Sequence, residues 1–365
     1  MATTYAGGVP AAAWCGYGYD ADIGASFRAM LGGIQSAALA CWLPSPTDAH
    51  DAAPTTPVAV LRAPRSYGGD DDAERDAVTI DIKTPQPEKQ PQQQCGSEYD
   101  ASIDATFRVM EADPAERPSP EYLSEAQAGD MMMIDRAALV KKMHRFSRYY
   151  GLAPGALHRA VSYVDRFLSA RKINGGERQL LLLGAAAVFA AAKYEDRKTT
   201  WRINADAVAA YAGCTRREAL DAERELVAAL GYRLSGPTAY TFVDHFLRHT
   251  QDREEEVSAA AVVKALAHHL ASMALLDYRC VAFLPSAVAA SAIVLARLVV
   301  LGYNSTTAPV AGYATEDLIE CMEAIYDLHD NLQAWPGCEE MMEDWELTTR
   351  LRYSLPPPSM LMGMR

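Results

Sequence analysis

The sequence predicts an all-α protein that contains two successive five-helix units. From about residue 132 onward, apolar residues recur at intervals of three and four, which is the spacing of helices that bury one face. Half of the 365 residues are apolar, and alanine, the strongest helix former, supplies much of that half. We find no segment with the strict alternation of apolar and polar residues that is typical of a half-buried strand.

Five helices are predicted in the first repeat, which we define as residues 131–235. They are Met133 to about Tyr150, a helix that starts near Pro154, residues 176–195, a helix from Asn204 to about Gly213, and a helix from Thr215 to Leu230. Proline suits the first turn of a helix because that turn needs no backbone N–H donor. The third segment is apolar on nearly all sides, which indicates a central buried helix. Thr215 and Glu218 are spaced as a capping box, in which each side chain accepts from the other residue's backbone N–H.

After Pro237 the helical pattern starts again, and we define residues 236–335 as the second repeat. Its predicted helices cover about residues 238–249, 254–275, 284–301 and 315–334, with a weaker element near 303–312. Pro285 suits the first turn of the third helix. Thr315, followed by two acidic residues, favours a helix start because a helix N-terminus attracts negative charge.

The two ends of the chain are predicted to be less ordered. Residues 1–94 are expected to be largely disordered and regulatory, because prolines cluster from 44 to 64 and the stretch at 83–94 reads KTPQPEKQPQQQ. Such a composition buries too little apolar surface to offset the loss of chain entropy. Residues 336–365 contain three successive prolines and are expected to form a flexible tail.

One short motif occurs twice. Residues 15–30 read CGYGYDADIGASFRAM and residues 95–110 read CGSEYDASIDATFRVM, with ten identical positions out of sixteen. The second copy leads into the helical region and predicts an N-terminal helix within residues 95–130. The first copy has no such continuation, so we interpret it as a degenerate helical duplicate.

The composition excludes several classes of protein. The net charge of −13 argues against a protein that binds nucleic acid through a basic surface. The seven cysteines are odd in number and never form a CxxC pair, which favours a reduced, intracellular protein without structural zinc. No secretory leader is evident, and the longest apolar stretch, residues 281–296, is too short for a membrane span. We therefore expect neither secretion nor a membrane association.

The sequence contains no motif of catalysis or cofactor binding, such as GxGxxG, GxxxxGK[ST], GxSxG or HExxH. We therefore predict that the chain is not an enzyme and holds no cofactor. His245 and His249 have the spacing of a metal-binding pair on a helix, but without a third ligand we favour an ordinary surface pair. His268 and His269 are adjacent, so they point in different directions on a helix.

Charged residues interrupt several apolar helix faces. Arg136 and Asp165 each lie among apolar residues at helical spacing, and we expect them to pair, because either charge alone is costly to bury. The alternative is that each side chain extends to water. Glu223 also lies among apolar residues and therefore needs a partner. Lys193 ends the central helix, where a cation is favourable even without a specific role.

Several segments resemble the cyclin family. They are VSYVDRFLSARKINGGERQLLLLGAAAVFAAAKYED at 161–196, LDAERELVAALGYRLSGPTAYTFVDHFL at 220–247, FLPSAVAASAIVLARL at 283–298 and IDATFRVMEADPAERPSPEYL at 103–123. They follow the family's order over about residues 97–335, and their alanine-rich character is most similar to the F-type cyclins of grasses. The resemblance implies two tandem cyclin-box folds, preceded at residues 95–130 by an N-terminal helix and an Arg-Pro turn.

The resemblance also implies a function. Cyclins are regulatory subunits, nuclear and cytoplasmic, that bind and activate a cyclin-dependent serine/threonine kinase in cell-cycle or meiotic control, and ATP and magnesium belong to the kinase. The positions that match the family's kinase-binding residues are Lys193, Glu223 and Leu182. Arg136 and Asp165 match an internal ion pair beneath that surface. Residues 28–31, RAML, fit the minimal RxxL degradation signal of cyclins, which implies recognition by a ubiquitin ligase, although the pattern is common by chance.

One motif of the family is altered in this chain. Cyclins begin their first helix with MRAILVDW, which helps to form a hydrophobic groove for substrate RxL sequences, whereas residues 135–142 read DRAALVKK. Leu139 is retained at its groove position. The replaced positions are Asp135, Ala138, Lys142 and Leu181, which stand for Met, Ile, Trp and Gln. We therefore expect that RxL substrate docking is lost and that kinase binding is unaffected.

Two other functions remain open at the level of sequence. A cyclin-fold adaptor would bind a partner without activating a kinase, and the altered groove is compatible with it. A transcription-factor-like protein with two such repeats would bind DNA and polymerase, which the net charge of −13 disfavours.

Overall fold

The computed structural model describes residues 93–195, 200–248, 257–302 and 309–359. In these ranges the regular secondary structure is helical, apart from one isolated bridge between Val310 and Tyr313. The all-α prediction is therefore confirmed. Residues 1–92, with the first motif copy and the RxxL sequence, lie outside the described residues, so the disorder predicted for residues 1–94 stays a prediction there. Gln93 and Gln94, at the end of that region, begin a helix.

The N-terminal helix α1 extends over Gln93–Ala112 and packs against the second repeat. The Phe107 ring meets the Phe242 ring edge-on, with 5.8 Å between the ring centroids. The Glu111 carboxylate accepts from both the backbone N–H and the hydroxyl of Ser286, at 3.0 and 2.7 Å. The second motif copy is thus a helix that docks on the distant half of the chain.

The described part of the first repeat contains five α-helices. They are α2 (Met133–Tyr149), α3 (Pro154–Ala170), α4 (Gly176–Glu195), α5 (Ala205–Ala212) and α6 (Arg216–Ala229). Asn204 caps α5 by accepting from the Ala207 N–H at 2.9 Å, and Thr215 with Glu218 forms the expected capping box of α6. These start signals act within one turn, which is why the sequence alone located them.

Helix α4 is the centre of the first repeat, as its apolar composition predicted. Its alanines are buried, and α2, α3, α5 and α6 pack around it. At Gly184 a Cβ atom would lie 2.8 Å from Cδ1 of Leu139 and 3.0 Å from Cγ of Met143. The glycine therefore allows α2 to approach α4 more closely than any other residue would.

The described part of the second repeat contains four α-helices and two short 3₁₀ turns. The helices are α7 (Ala239–Phe246), α8 (Val257–Ala274), α9 (Pro285–Leu301) and α10 (Ile319–Asp330). The 3₁₀ turns are Tyr278–Val281 and Thr315–Leu318. Of the weaker element expected near 303–312, residues 309–312 are described and form a turn, because Ala311 and Gly312 have left-handed φ angles of 51° and 86°.

The flexible tail predicted for residues 336–365 is wrong for its described part, residues 336–359. Helix α11 occupies Cys338–Thr349, and Cys338, Met341 and Trp345 are buried. These three residues follow each other at intervals of three and four and form an apolar face. The prolines that suggested a flexible tail come only after that helix. Residues 360–365 lie outside the described part of the chain.

None of the helices in the described ranges combines the length and the apolarity that crossing a membrane would require.

Candidate functional site

A buried ion pair joins α2 to α3. Arg136 donates from Nε to Oδ1 of Asp165 and from Nη2 to Oδ2, both at 2.8 Å. The Tyr122 hydroxyl donates to Oδ1 of the same carboxylate at 2.8 Å, and Nη1 of Arg136 donates to the Leu275 carbonyl at 2.8 Å. The Arg136 side chain is only 2% exposed. The structure therefore brings the two predicted residues together, and neither extends to water.

The electrostatics of this cluster favour the charged pair. Burial lowers the pKa of Arg136, but the Asp165 charge and the hydrogen bonds outweigh it, so the pKa lies above its usual range. Burial and the Asp165 charge raise the pKa of Tyr122 well above its ordinary value, so its hydroxyl remains a donor. Because Leu275 follows α8, the pair also fixes the first repeat against the second.

Lys193 and Glu223 form an ion pair between the end of α4 and the middle of α6. The Lys193 side chain is 43% exposed and the Glu223 side chain is 13% exposed. The ammonium also lies 3.9 Å from the centroid of the Phe189 ring, within the range of a cation–π contact. The partner that Glu223 needs is therefore Lys193, which the sequence did not reveal.

Leu182 lies on the same face of α4 as Lys193, three helical turns earlier, because eleven residues are close to three turns. It is half-buried and lines a shallow pocket with Phe167 of α3 and Ala222 of α6. Leu182, Lys193 and Glu223 thus lie where α4 meets α6, and we call these three residues the candidate binding surface.

Two exposed tyrosines near these helices were missed by sequence reasoning. Tyr194 follows Lys193, is 49% exposed, and lies 4.4 Å below the guanidinium of Arg159. Tyr232 is exposed just beyond α6 with a left-handed φ of 62°. Large apolar groups held in water favour a surface that meets a partner. Sequence reasoning could not identify them, because a single exposed aromatic residue forms no periodic pattern. The one available signal was Gly231 followed by Tyr232, which marks the end of α6.

The altered groove positions make local contacts. Asp135 accepts from the Met132 backbone N–H at 2.8 Å and so caps α2. Leu139 is buried against α4. Lys142 pairs with Glu177 at the start of α4. Ala138 and Leu181 are half-buried.

Helix α11 continues this charged region along α2. Arg145 donates to both carboxylate oxygens of Glu340 at 2.7 and 2.9 Å, and Arg148 pairs with Asp344. His144 lies 3.5 Å from Asp344, and burial lowers its pKa to about 4. The acidic face of α11 therefore complements a basic face of α2.

In the described ranges, no group of three or more His, Cys, Asp or Glu side chains is arranged to hold a metal ion. His245 lies 3.4 Å from Asp104, and His268 lies 3.3 Å from Asp244. His249 lies outside the described residues.

Comparison with protein families gives two matches, in the order of the repeats. The description "Cyclin, N-terminal domain" matches residues 103–235, and "Cyclin, C-terminal domain" matches residues 237–336.

Curated proteins give the same result. Putative cyclin-F2-1 of Oryza sativa subsp. japonica is 43% identical over 263 residues, which cover 70% of this chain and 64% of that protein. Putative cyclin-F1-1 of the same organism is 47% identical over 231 residues, which cover 61% of this chain and 62% of that protein. Cyclin-A3-3 of Arabidopsis thaliana is 32% identical over 241 residues, which cover 65% of this chain and 72% of that protein. The chain thus spans less than two thirds of the length of these two rice relatives. The expected resemblance to grass F-type cyclins is confirmed.

Proposed function

The chain belongs to the cyclin family, and on that premise we propose that it is a regulatory subunit that binds a cyclin-dependent serine/threonine kinase through the candidate binding surface. The observation that carries the proposal is the Lys193–Glu223 pair, held between α4 and α6 with its lysine exposed. The chemistry belongs to the kinase, together with ATP and magnesium. The setting is cell-cycle or meiotic control in nucleus and cytoplasm.

The geometry of the pair suits a protein partner. A partner that covers Lys193 and Glu223 excludes water, so each charged group then hydrogen-bonds to the backbone of that partner. Charged groups that are desolvated at the centre of an interface contribute strongly to affinity. The half-buried Leu182 adds an apolar contact beside the charges.

The buried cluster supports a preformed surface. Arg136 and Asp165 fix α2 to α3, and through the Leu275 carbonyl they fix the first repeat to the second. A surface that is rigid before binding loses little conformational entropy when a partner docks.

Activation by such a surface is a shift of population. Docking holds the kinase's mobile helix where the kinase's own Lys–Glu ion pair forms and its activation segment opens. A shift from 1% to 99% of the active form needs about 5.5 kcal/mol of differential affinity. That requirement favours a surface with charged as well as apolar contacts.

The test is the affinity of full-length variants for a purified cyclin-dependent kinase, measured by calorimetry. Lys193→Ala and Glu223→Ala should each weaken binding by about 2–4 kcal/mol. Lys172→Ala is the matched control, since Lys172 is an exposed lysine paired with Asp130 at 2.7 Å in another part of the first repeat. Unchanged affinity in the Lys193→Ala/Glu223→Ala double variant would contradict the proposal.

A second candidate function is an adaptor that binds the kinase without supporting catalysis. The observation that favours it is Lys142, paired with Glu177 at the position where the family's groove has an aromatic residue. The purified complex and the free kinase, assayed on histone, distinguish the two functions: activation supports the regulatory subunit, and tight binding without activation supports the adaptor.

A further inference from the structure

A cavity of about 120 Å³ lies where the two repeats meet. The first repeat contributes residues of α2 and α3, and the second contributes residues of α7, α8 and α9. Most of its lining is apolar, including Val161, Ala239, Ala271 and Val288. An engineered cavity of about 150 Å³ with apolar walls takes up benzene, so this volume suits one six-membered ring.

Most charged groups around the cavity are engaged with protein partners. Arg136 is bound by Asp165 and the Leu275 carbonyl. Glu111 holds Ser286, and Arg117 donates to the Ala282 carbonyl at 3.0 Å. Glu116 lies 3.2 Å from Arg166 as an ion pair, although its Oε2 accepts no hydrogen bond from the residues that the structure describes. A further charge in the cavity would find no counter-charge, which disfavours a charged occupant.

His158 is a neutral polar group of the lining with one ring nitrogen left open. It lines the cavity and is 2% exposed. Its Nε2 lies 3.0 Å from the hydroxyl of Ser272, a residue that does not line the cavity. Among the residues that the structure describes, Nδ1 of His158 has no hydrogen-bond partner.

The neighbouring bonds fix which ring nitrogen carries the proton. The Ser272 hydroxyl donates its one hydrogen to the His268 carbonyl at 2.8 Å, so towards His158 it acts only as an acceptor. Nε2 of His158 is therefore the donor, and Nδ1 has a free lone pair. Burial also lowers the pKa of His158 to about 3, so the ring is neutral near pH 7.

A buried acceptor without a partner costs free energy that an occupant can recover. An aromatic ring that bears one hydroxyl matches the apolar walls and can donate to the acceptor on His158.

We propose that this cavity is a binding site for a compact, uncharged phenol-type molecule whose hydroxyl donates to Nδ1 of His158 while its ring packs against the apolar walls. The site belongs to the junction of the repeats, not to the candidate binding surface, and it does not rest on kinase binding. An occupant would stabilise the folded state, by an amount that grows with the logarithm of its concentration divided by its dissociation constant.

The test compares phenol with toluene, which has the same ring and size but no donor, on the full-length protein. Phenol should raise the melting temperature and bind about tenfold more tightly than toluene, which corresponds to one hydrogen bond of about 1.4 kcal/mol. Equal affinity for the two probes, or no binding of phenol, would overturn the proposal.

Two variants and one spectroscopic signal locate the site. His158→Phe should remove the preference for phenol over toluene, and Ala271→Met should block both probes by filling the cavity. In the unaltered protein the ¹⁵N resonance of His158 Nδ1 should move on addition of phenol and stay in place with toluene. The ¹⁵N measurement tests the proposal even if a variant does not fold, because it uses the unaltered protein. A His158 Nδ1 resonance that does not shift on addition of phenol would contradict the proposal.

Discussion

The two repeats share an architecture but differ in how they use charge. Each is built around a buried, alanine-rich helix, α4 in the first and α9 in the second. In the first repeat the inter-helix ion pair of Arg136 (α2) with Asp165 (α3) is almost fully buried, whereas in the second the pair of Lys264 (α8) with Asp244 (α7) is partly exposed. In α9 the sole charged residue is Arg297.

The second repeat receives other parts of the same chain. Ser286, in the first turn of its α9, is held by Glu111 of α1, and Trp345 of α11 lies in its core. The first repeat leaves Lys193 exposed instead. The comparison teaches that one architecture serves two purposes: the second repeat anchors α1 and the Trp345 end of α11, and the first packs against the start of α11 and also presents a charged surface.

The largest effect is expected from breaking the buried pair of the first repeat. Asp165→Ala leaves the Arg136 charge buried without a partner and should lower the free energy of unfolding by about 3–5 kcal/mol. Replacing both residues, as in Arg136→Met/Asp165→Leu, should cost much less, because no charge then stays buried.

Chemical denaturation measures both effects. Lys264→Ala is the control in the second repeat, because Lys264 and Asp244 form a partly exposed pair, and its cost should stay below about 1 kcal/mol. If Asp165→Ala were as mild as this control, the contrast between the repeats would be lost.

The next effect concerns the anchoring of α11. Trp345 stacks on His269 of α8 with 4.8 Å between ring centroids, so Trp345→Ala should destabilise the protein by about 3 kcal/mol. Leu347→Ala, at an exposed position of the same helix, should change stability by less than about 0.5 kcal/mol. Equal thermal melting of the two variants would mean that α11 contributes nothing to the second repeat.

Acid should weaken the same contact. Burial lowers the pKa of His269 to about 3, with His329 and His144 adding to the shift. Between about pH 6.5 and pH 3 the unfolded chain therefore binds a proton that the folded chain excludes, and stability falls as the pH falls. The contribution of this one histidine is at most about 1.4 kcal/mol per pH unit.

His269→Gln should reduce that slope, measured by denaturation at a series of pH values. Above pH 7 the slopes of the variant and the unaltered protein should agree, because the imidazole is then neutral in both states. An unchanged slope below pH 6 would show that His269 is not the acid-sensitive group.

The smallest effect on stability is expected at the candidate binding surface. Lys193→Ala should lower the free energy of unfolding by about 1 kcal/mol or less, since the Lys193 side chain is 43% exposed and water screens its attraction to Glu223. A large loss of stability would make this pair structural, like Arg136 and Asp165, and would remove the contrast within the first repeat.

A kinetic measurement tests whether the first repeat docks RxL substrates. Two substrates that differ only in an intact or mutated RxL should show the same KM with the kinase complex, because Lys142 removes apolar surface that a leucine would bury. A several-fold lower KM for the intact sequence would show a working groove.

Much of the fold could be predicted because its signals are local. Pro154, Asn204 and Thr215 each mark a helix start through contacts within one turn, and the structure begins helices at these points. Arg136 and Asp165 were also identifiable, because a charge inside an apolar face needs an opposite charge. The prediction of a flexible tail was wrong at α11, because it rested on the prolines at 356–358 and did not use the helical spacing of Met341 and Trp345.

The sequence by itself determined the helices, their order and which charges had to be buried, since periodicity, caps and desolvation act through near neighbours. Only the tertiary structure decided which distant groups meet. Arg145 and Glu340 are 195 positions apart, and no local pattern relates them. Packing also decides that Lys193 pairs with Glu223, where α11 docks, and that one nitrogen of His158 has no partner among the described residues. Packing is a property of surfaces that the chain brings together only when it folds.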